Sequence, residues 1–151
     1  NSSESVHMLR FPASVTNYSE SDFINSLAFY EYNQQKPLSD IGITNDYTMG
    51  YASDLGFRAG IATPYTFYNL DTEEVLAIKV YPFAIVDDTL RYNMKLDASE
   101  VLDNIKDIIQ SVKDVNGTLI TIWHNDTFSE QGIWKGWKNV YEDMIKLIKN
   151  K

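Results

Sequence analysis

Of the two histidines in the chain, His124 is the one placed where a proton can be moved. It closes the stretch "TLITIWHND", a run of strand-forming residues that ends in a tryptophan, a histidine, an asparagine and an aspartate. Imidazole titrates near neutral pH, so a histidine at a strand end, followed by the polar loop "NDTFSEQG", can serve as a general acid. The alternative is a strand-end histidine satisfied by local backbone. Arg10, three residues after His7, offers a bidentate clamp for a carboxylate or else a solvated strand-end cation. Arg58 lies between glycines in "GFRAG", where backbone can approach closely while one guanidinium is presented; an anion clamp and a loop-stabilising pair are both open. Asp46, in "TNDYTMGYA", is either a turn residue or an acid of the site. Asp87 and Asp88 are adjacent, and neighbours on a strand face opposite ways, so "VDDTL" reads as a turn. Two histidines with Asp46 or Asp126 would make three metal ligands, but neither HxH nor HxxxH spacing is present.

These residues need elements to position them. "SVHMLRF" alternates and predicts a strand, and "SESDFINSLAFYEYNQQK" predicts a helix that stops at Pro37. From "GITNDYTMGYASDLGFRAGIATPYTFYNL" the expectation is a short strand around Tyr47 to Tyr51 and then a long irregular loop. Such loops are usually functional or disordered, and the aromatic content of this one favours packing. "VLAIKVYPFAIVDDTL" predicts strand, divided at Pro82. Asp97 and Glu100 form a capping box ahead of Val101, Leu102, Ile105, Ile108, Ile109 and Val112 at helical spacing, with Asn116 and Gly117 at the exit. The strand "TLITIW" follows, then a helix over roughly Trp134 to Lys149. This order predicts an α/β fold of parallel strands alternating with helices, in which chemistry collects at the C-terminal strand ends. His124 lies at such an end. Tyr51, Trp123, Asn125 and Trp134 fall near it, as ligand-contacting groups or as packing for the loop.

Composition narrows the classes of function. The 151 residues, 44% of them hydrophobic, suffice for one core and predict a single domain or partial domain over 1–151. A formal charge of −8 disfavours phosphate backbones as partners, so nucleic acid is not expected. No cysteine is present, which removes disulfides and thiolate chemistry and leaves the compartment open. No apolar run approaches the roughly 20 residues of a membrane span.

Taken in order, "GITNDYTMGYASDLGFRAGIATPYTFYNL", "PFAIVDDTL", the capped helix and "NGTLITIWHNDTFSEQGIWKGWKNVYE" resemble the C-terminal part of polysaccharide deacetylase-like proteins with the NodB-homology fold, notably a branch found in Bacteroidetes. The resemblance covers about residues 41 to 145. It implies the C-terminal portion of a distorted (β/α) barrel that hydrolyses N- or O-acetyl groups on a polysaccharide. It implies a divalent metal, zinc or similar, held by one aspartate and two histidines, with a late histidine protonating the leaving amine. His124 corresponds to that histidine, Arg10 to the arginine that orients the base, and Asp46 to the next acidic motif; Arg58 belongs to the signature without an assigned role. The family's metal ligands precede these motifs and have no counterpart here, so the chain is expected to complete its site with an N-terminal partner segment, or to self-associate. A carbohydrate-binding or structural module of the same fold is the alternative. An independent hydrolase built on His124, Asp126 and Arg58 is a third reading.

Overall fold

A computed structural model describes residues 42–149. Arg10, His7 and the strand and helix expected before Pro37 lie outside the described residues. The described chain is α/β. Its strands are β1 (Asn45–Asp46), β2 (Tyr65–Asn69), β3 (Glu74–Val80), β4 (Ile85–Val86) and β5 (Thr121–Ile122); its long helices are α1 (Ala98–Asp114) and α2 (Trp137–Lys149). A π-helical turn spans Thr89–Asn93, and single 3₁₀ turns span Asn125–Phe128 and Gly132–Trp134. No helix of the described residues is long and apolar enough to cross a membrane.

Two small sheets form. The first has the order β1-β3-β2, with β1 parallel and β2 antiparallel to β3; the second is the parallel pair β4-β5. Pro82, which has no donor to give a ladder, falls where the chain passes between them. On either side of that passage the Tyr81 amide donates to Asp46 at 2.7 Å, Phe83 to Met49 at 3.0 Å and Ala84 to Ile120 at 3.0 Å. The chain from β3 to β4 therefore changes partners without turning back.

The architecture departs from the expected parallel alternation in its first half. "YTFYN" is strand, not the end of an irregular loop, and it pairs antiparallel with β3 as a hairpin. The turn is set by Asn69, whose Oδ1 accepts the amides of Asp71 at 2.9 Å and Thr72 at 3.3 Å, with Glu73 in the left-handed region at φ 52°. This Asx turn is local side-chain chemistry of a known kind, but three aromatics in four positions hid the period-two pattern. The strand expected at Tyr47 to Tyr51 is only Asn45–Asp46.

The second half follows its local signals. In α1 the Asp97 amide donates to Glu100 Oε2 at 2.9 Å, closing the expected capping box, and Val101, Ile105, Ile109 and Val112 line the buried face. At its end Asn116 takes the left-handed conformation at φ 50°, and the Gly117 amide returns to the Val112 carbonyl at 2.8 Å. Gly117 must be small, because an added Cβ would lie 2.9 Å from Ala62 Cβ and 3.0 Å from the Ala62 carbonyl. That closeness lets the Thr118 amide bond the same carbonyl at 2.6 Å, tying the long loop to the strand that carries His124. Helix α2 starts three residues later than expected because Gly136, at φ 88°, interrupts the helical path. Beneath β4 and β5, the core joins Ile85 and Leu90 to Val101, Ile105 and Ile109 of α1 and to Trp137, Val140 and Met144 of α2.

The loop between His124 and α2 is held by Glu130, whose carboxylate accepts the amides of Gly136 and Lys138, each at 3.0 Å. The Gly136 bond first, then the Lys138 bond, draws the Glu130 carboxyl below its ordinary value of 4.5. A group lowered in this way stabilises the fold above the unfolded value, and the contribution is lost as pH falls through the folded one. Glu130→Gln should therefore lower the thermal midpoint near neutral pH, and the gap from wild type should narrow as pH falls below the ordinary value of 4.5. Thermal unfolding of both proteins across that range checks it; a gap that is constant with pH would contradict it.

Candidate functional site

The site is assembled where β4 and β5 end. In the parallel register Ile85 faces Thr121 and Val86 faces Ile122, so the residues that follow, Asp87 and Asp88 on one strand and Trp123 and His124 on the other, emerge side by side. Asp87 is fully buried. Its Oδ1 meets His124 Nδ1 at 2.6 Å and accepts the Asp88 amide at 2.8 Å. Its Oδ2 accepts the His124 amide at 2.6 Å and the hydroxyl of Thr127, which is itself fully buried.

This network fixes the protonation pattern. An ionised carboxylate has about four acceptor positions. Three donors, the Asp88 and His124 amides and the Thr127 hydroxyl, converge on Asp87, and the remaining acceptor position at Oδ1 faces the ring, which favours the hydrogen on Nδ1. The His124 side chain keeps 40% of its exposure, while Asp88 Oδ2 lies 3.5 Å from Nδ1. A buried aspartate thus orients a half-exposed histidine. That is the arrangement a general acid or base requires.

The other expected residues fall in different places. Asp46 is buried at the end of β1, and its Oδ1 accepts the Thr48 amide at 2.8 Å and the Thr48 hydroxyl at 2.7 Å, the bonds of a turn. It does not join the group formed by Asp87, Asp88 and His124. Trp123 and Trp134 are 5% and 7% exposed; Trp123 stands edge-on to Tyr141 at 5.2 Å between ring centroids, and Trp134 to Trp137 at 5.1 Å. These two indoles serve as packing beneath the site, not as open platforms. Tyr51, Arg58 and Asn125 are exposed. Asn125 begins the 3₁₀ turn directly after His124, and the loop of Tyr51 and Arg58 is drawn toward β4 by two bonds. The Gly56 amide donates to Ala84 at 3.0 Å, and the Thr89 hydroxyl donates to the Ala52 carbonyl at 2.8 Å. That brings the loop alongside the strand end that carries Asp87.

Asp87 and Thr127 are the partners of His124 that sequence reasoning missed. Reading "VDD" as a turn set the two acids aside; the chain does turn after β4, and the turn brings both carboxylates to His124 Nδ1, Asp87 Oδ1 at 2.6 Å and Asp88 Oδ2 at 3.5 Å. A usable signal was present, since "AIVDD" is an apolar strand running into acids just as "TLITIWHN" runs into a histidine. Thr127 follows His124 by three residues, the spacing that brings side chains into line on a 3₁₀ turn.

Ligand atoms of Asp87, Asp88 and His124 lie within 4.8 Å of one another, close enough to ask whether they hold a metal. They do not fit one. Both Asp87 oxygens already accept hydrogen bonds, and Nδ1 faces Oδ1 at hydrogen-bond distance, so a cation there would displace the donors that order the site. No protein-family model, curated protein or solved structure matches this chain.

Proposed function

We propose that the chain is the C-terminal portion of a distorted (β/α) barrel that removes N- or O-acetyl groups from a polysaccharide, and that it supplies the general acid of that reaction. The observation that carries this reading is the Asp87–His124 pair: a buried carboxylate holding Nδ1, with the ring half exposed at the ends of two parallel strands. In the proposed step, His124 Nε2 gives its proton to the leaving nitrogen or oxygen as the bond to the acetyl carbon breaks, and Asp87 keeps the imidazolium in place until then. Glycan binding alone would have no use for a hydrogen-bonded Asp–His pair, so catalysis is preferred to the binding-module alternative. Tyr51, Arg58 and Asn125, exposed on the loops beside the pair, are the proposed glycan contacts. The divalent metal implied by the family resemblance has no ligand set in the Asp87, Asp88 and His124 group, and the proton transfer does not run through it. Its ligands are assigned to an N-terminal partner segment that supplies the first barrel strands.

The test joins the chain to a segment bearing one aspartate and two histidines on such strands, supplies zinc, and measures acetate released from N-acetylated chitooligosaccharides and O-acetylated xylan. Acetate release is expected, falling about 10²–10⁴-fold in His124→Gln. A folded, metal-loaded barrel that releases no acetate from either substrate would overturn the proposal. So would a His124→Gln protein of undiminished rate.

A further inference from the structure

The Asp87 carboxylate meets four partners, and three of them come from the backbone or from the histidine it serves. The fourth is the Thr127 hydroxyl. Residues 125–128 form a single 3₁₀ turn, in which the Thr127 amide returns to the His124 carbonyl at 3.3 Å. The turn folds the chain back on itself, so the residue three after the histidine reaches the same carboxylate as the histidine does. Thr127 and Asp87 are both fully buried, which leaves no water to replace the hydroxyl if it is removed.

The division of labour between the two oxygens is what matters. Oδ2 is tied to the His124 amide and the Thr127 hydroxyl, which fixes the rotation of the carboxylate and leaves Oδ1 aimed at Nδ1. With only the His124 amide on Oδ2, the carboxylate could rotate, and the hydrogen on the neutral ring would be free to move to Nε2. Asp88 also contacts the ring, its Oδ2 lying 3.5 Å from Nδ1.

We infer that Thr127 is a positioning residue for the Asp87–His124 pair: its hydroxyl locks the carboxylate so that His124 keeps its hydrogen on Nδ1, and Nε2 is the nitrogen that gains and gives up the second proton. This rests on the pair proposed above as catalytic, but its test does not need a substrate. The chain holds two histidines, so ¹⁵N-labelled imidazole spectra of the 151-residue protein can be assigned to His7 and His124 by substitution of one. In the wild type above its titration midpoint, His124 should be almost wholly the Nδ1–H tautomer. Thr127→Val keeps the shape and removes the hydroxyl, and should lower the ratio of Nδ1–H to Nε2–H by about tenfold or more, the factor that one hydrogen bond to a charged group is worth. Thr127→Ser keeps the hydroxyl and should restore the wild-type ratio. A Thr127→Val protein with wild-type tautomer ratio and titration curve would overturn the inference, whatever its thermal midpoint. If that variant does not fold, Thr127→Cys, similar in size with a much weaker donor, is read by the same criteria. Loss of the tautomer preference in a chain that never releases acetate would count against the proposed reaction and not against the role of Thr127.

Discussion

If the proposed deacetylation is the reaction, Asp87→Asn is expected to lower acetate release by about 10²–10⁴-fold while the fold is kept, because the amide reverses the hydrogen-bond pattern on which the histidine depends. A carboxylate accepts on both oxygens, whereas an amide accepts on one and donates from the other. If its nitrogen takes the Oδ1 position, Nδ1 must become the acceptor and cannot carry a hydrogen, so the imidazolium that delivers the proton from Nε2 in the proposed step is disfavoured. If it takes the Oδ2 position, the His124 amide and the Thr127 hydroxyl face a donor in a buried site. Each group left unsatisfied costs about 1–3 kcal/mol, so a measurable loss of stability should accompany the loss of rate. The charge has a second effect that needs no substrate. A carboxylate 2.6 Å from Nδ1 favours the charged ring over the neutral amide that replaces it, so Asp87→Asn should lower the His124 titration midpoint. Proton NMR titration of the two histidines checks this. An unchanged midpoint would mean that Asp87 does not act on the ring, and the assignment of the pair as acid and orienter would fall with it.

The largest effect on stability is expected from Trp137→Ala. Trp137 is the first residue of α2 and is 1% exposed. Its ring packs edge-on to Trp134 at 5.1 Å and to Trp123 at 6.4 Å, and so joins the helix to the floor of the site. Truncation removes the indole's transfer free energy and leaves a cavity bounded by other rings that cannot collapse into it. The cost should be about 3–5 kcal/mol. In a chain of this size that corresponds to a drop in Tm of roughly 10 °C. Chemical denaturation with an unchanged m-value would identify the loss as packing in the folded state. A loss below about 1 kcal/mol, the scale of a surface change, would show that these rings do not form the core described above. Because Trp123 immediately precedes His124, the same substitution should also broaden the His124 resonances.

Where the chain obeyed local rules, the sequence was a good guide. The capping box at Asp97, the i, i+4, i+8, i+11 stripe of α1, the Asn116–Gly117 exit and the break at Pro82 all depend on residues within a few positions of one another, and each was found as expected. The hairpin β2–β3 was hidden for an equally local reason, since aromatics on both faces masked the alternation that marks a strand. Where pairing spans the chain, pattern was insufficient. Asp87 and Asp88 present the same residue type at neighbouring positions, and only the tertiary structure decides that Asp87 is fully buried against His124 at 2.6 Å while Asp88 lies 3.5 Å from the same nitrogen. The same holds for Trp123 and Trp134: an indole near a strand end or a turn can face solvent or core, and the rings of Trp137 and Tyr141 on α2 pack against them.

By itself the sequence determined that His124 ends a buried strand and is followed by a polar turn, because hydrophobic pattern and residue type are properties of a short segment. Only the tertiary structure decided what that histidine is joined to. Asp87 is 37 residues away, and it reaches His124 because α1 carries the chain from the end of β4 back to the start of β5, so that the two strands run parallel and end together. A hydrogen bond depends on positions to within a few tenths of an ångström, and those positions are set by the packing of every element between the two residues.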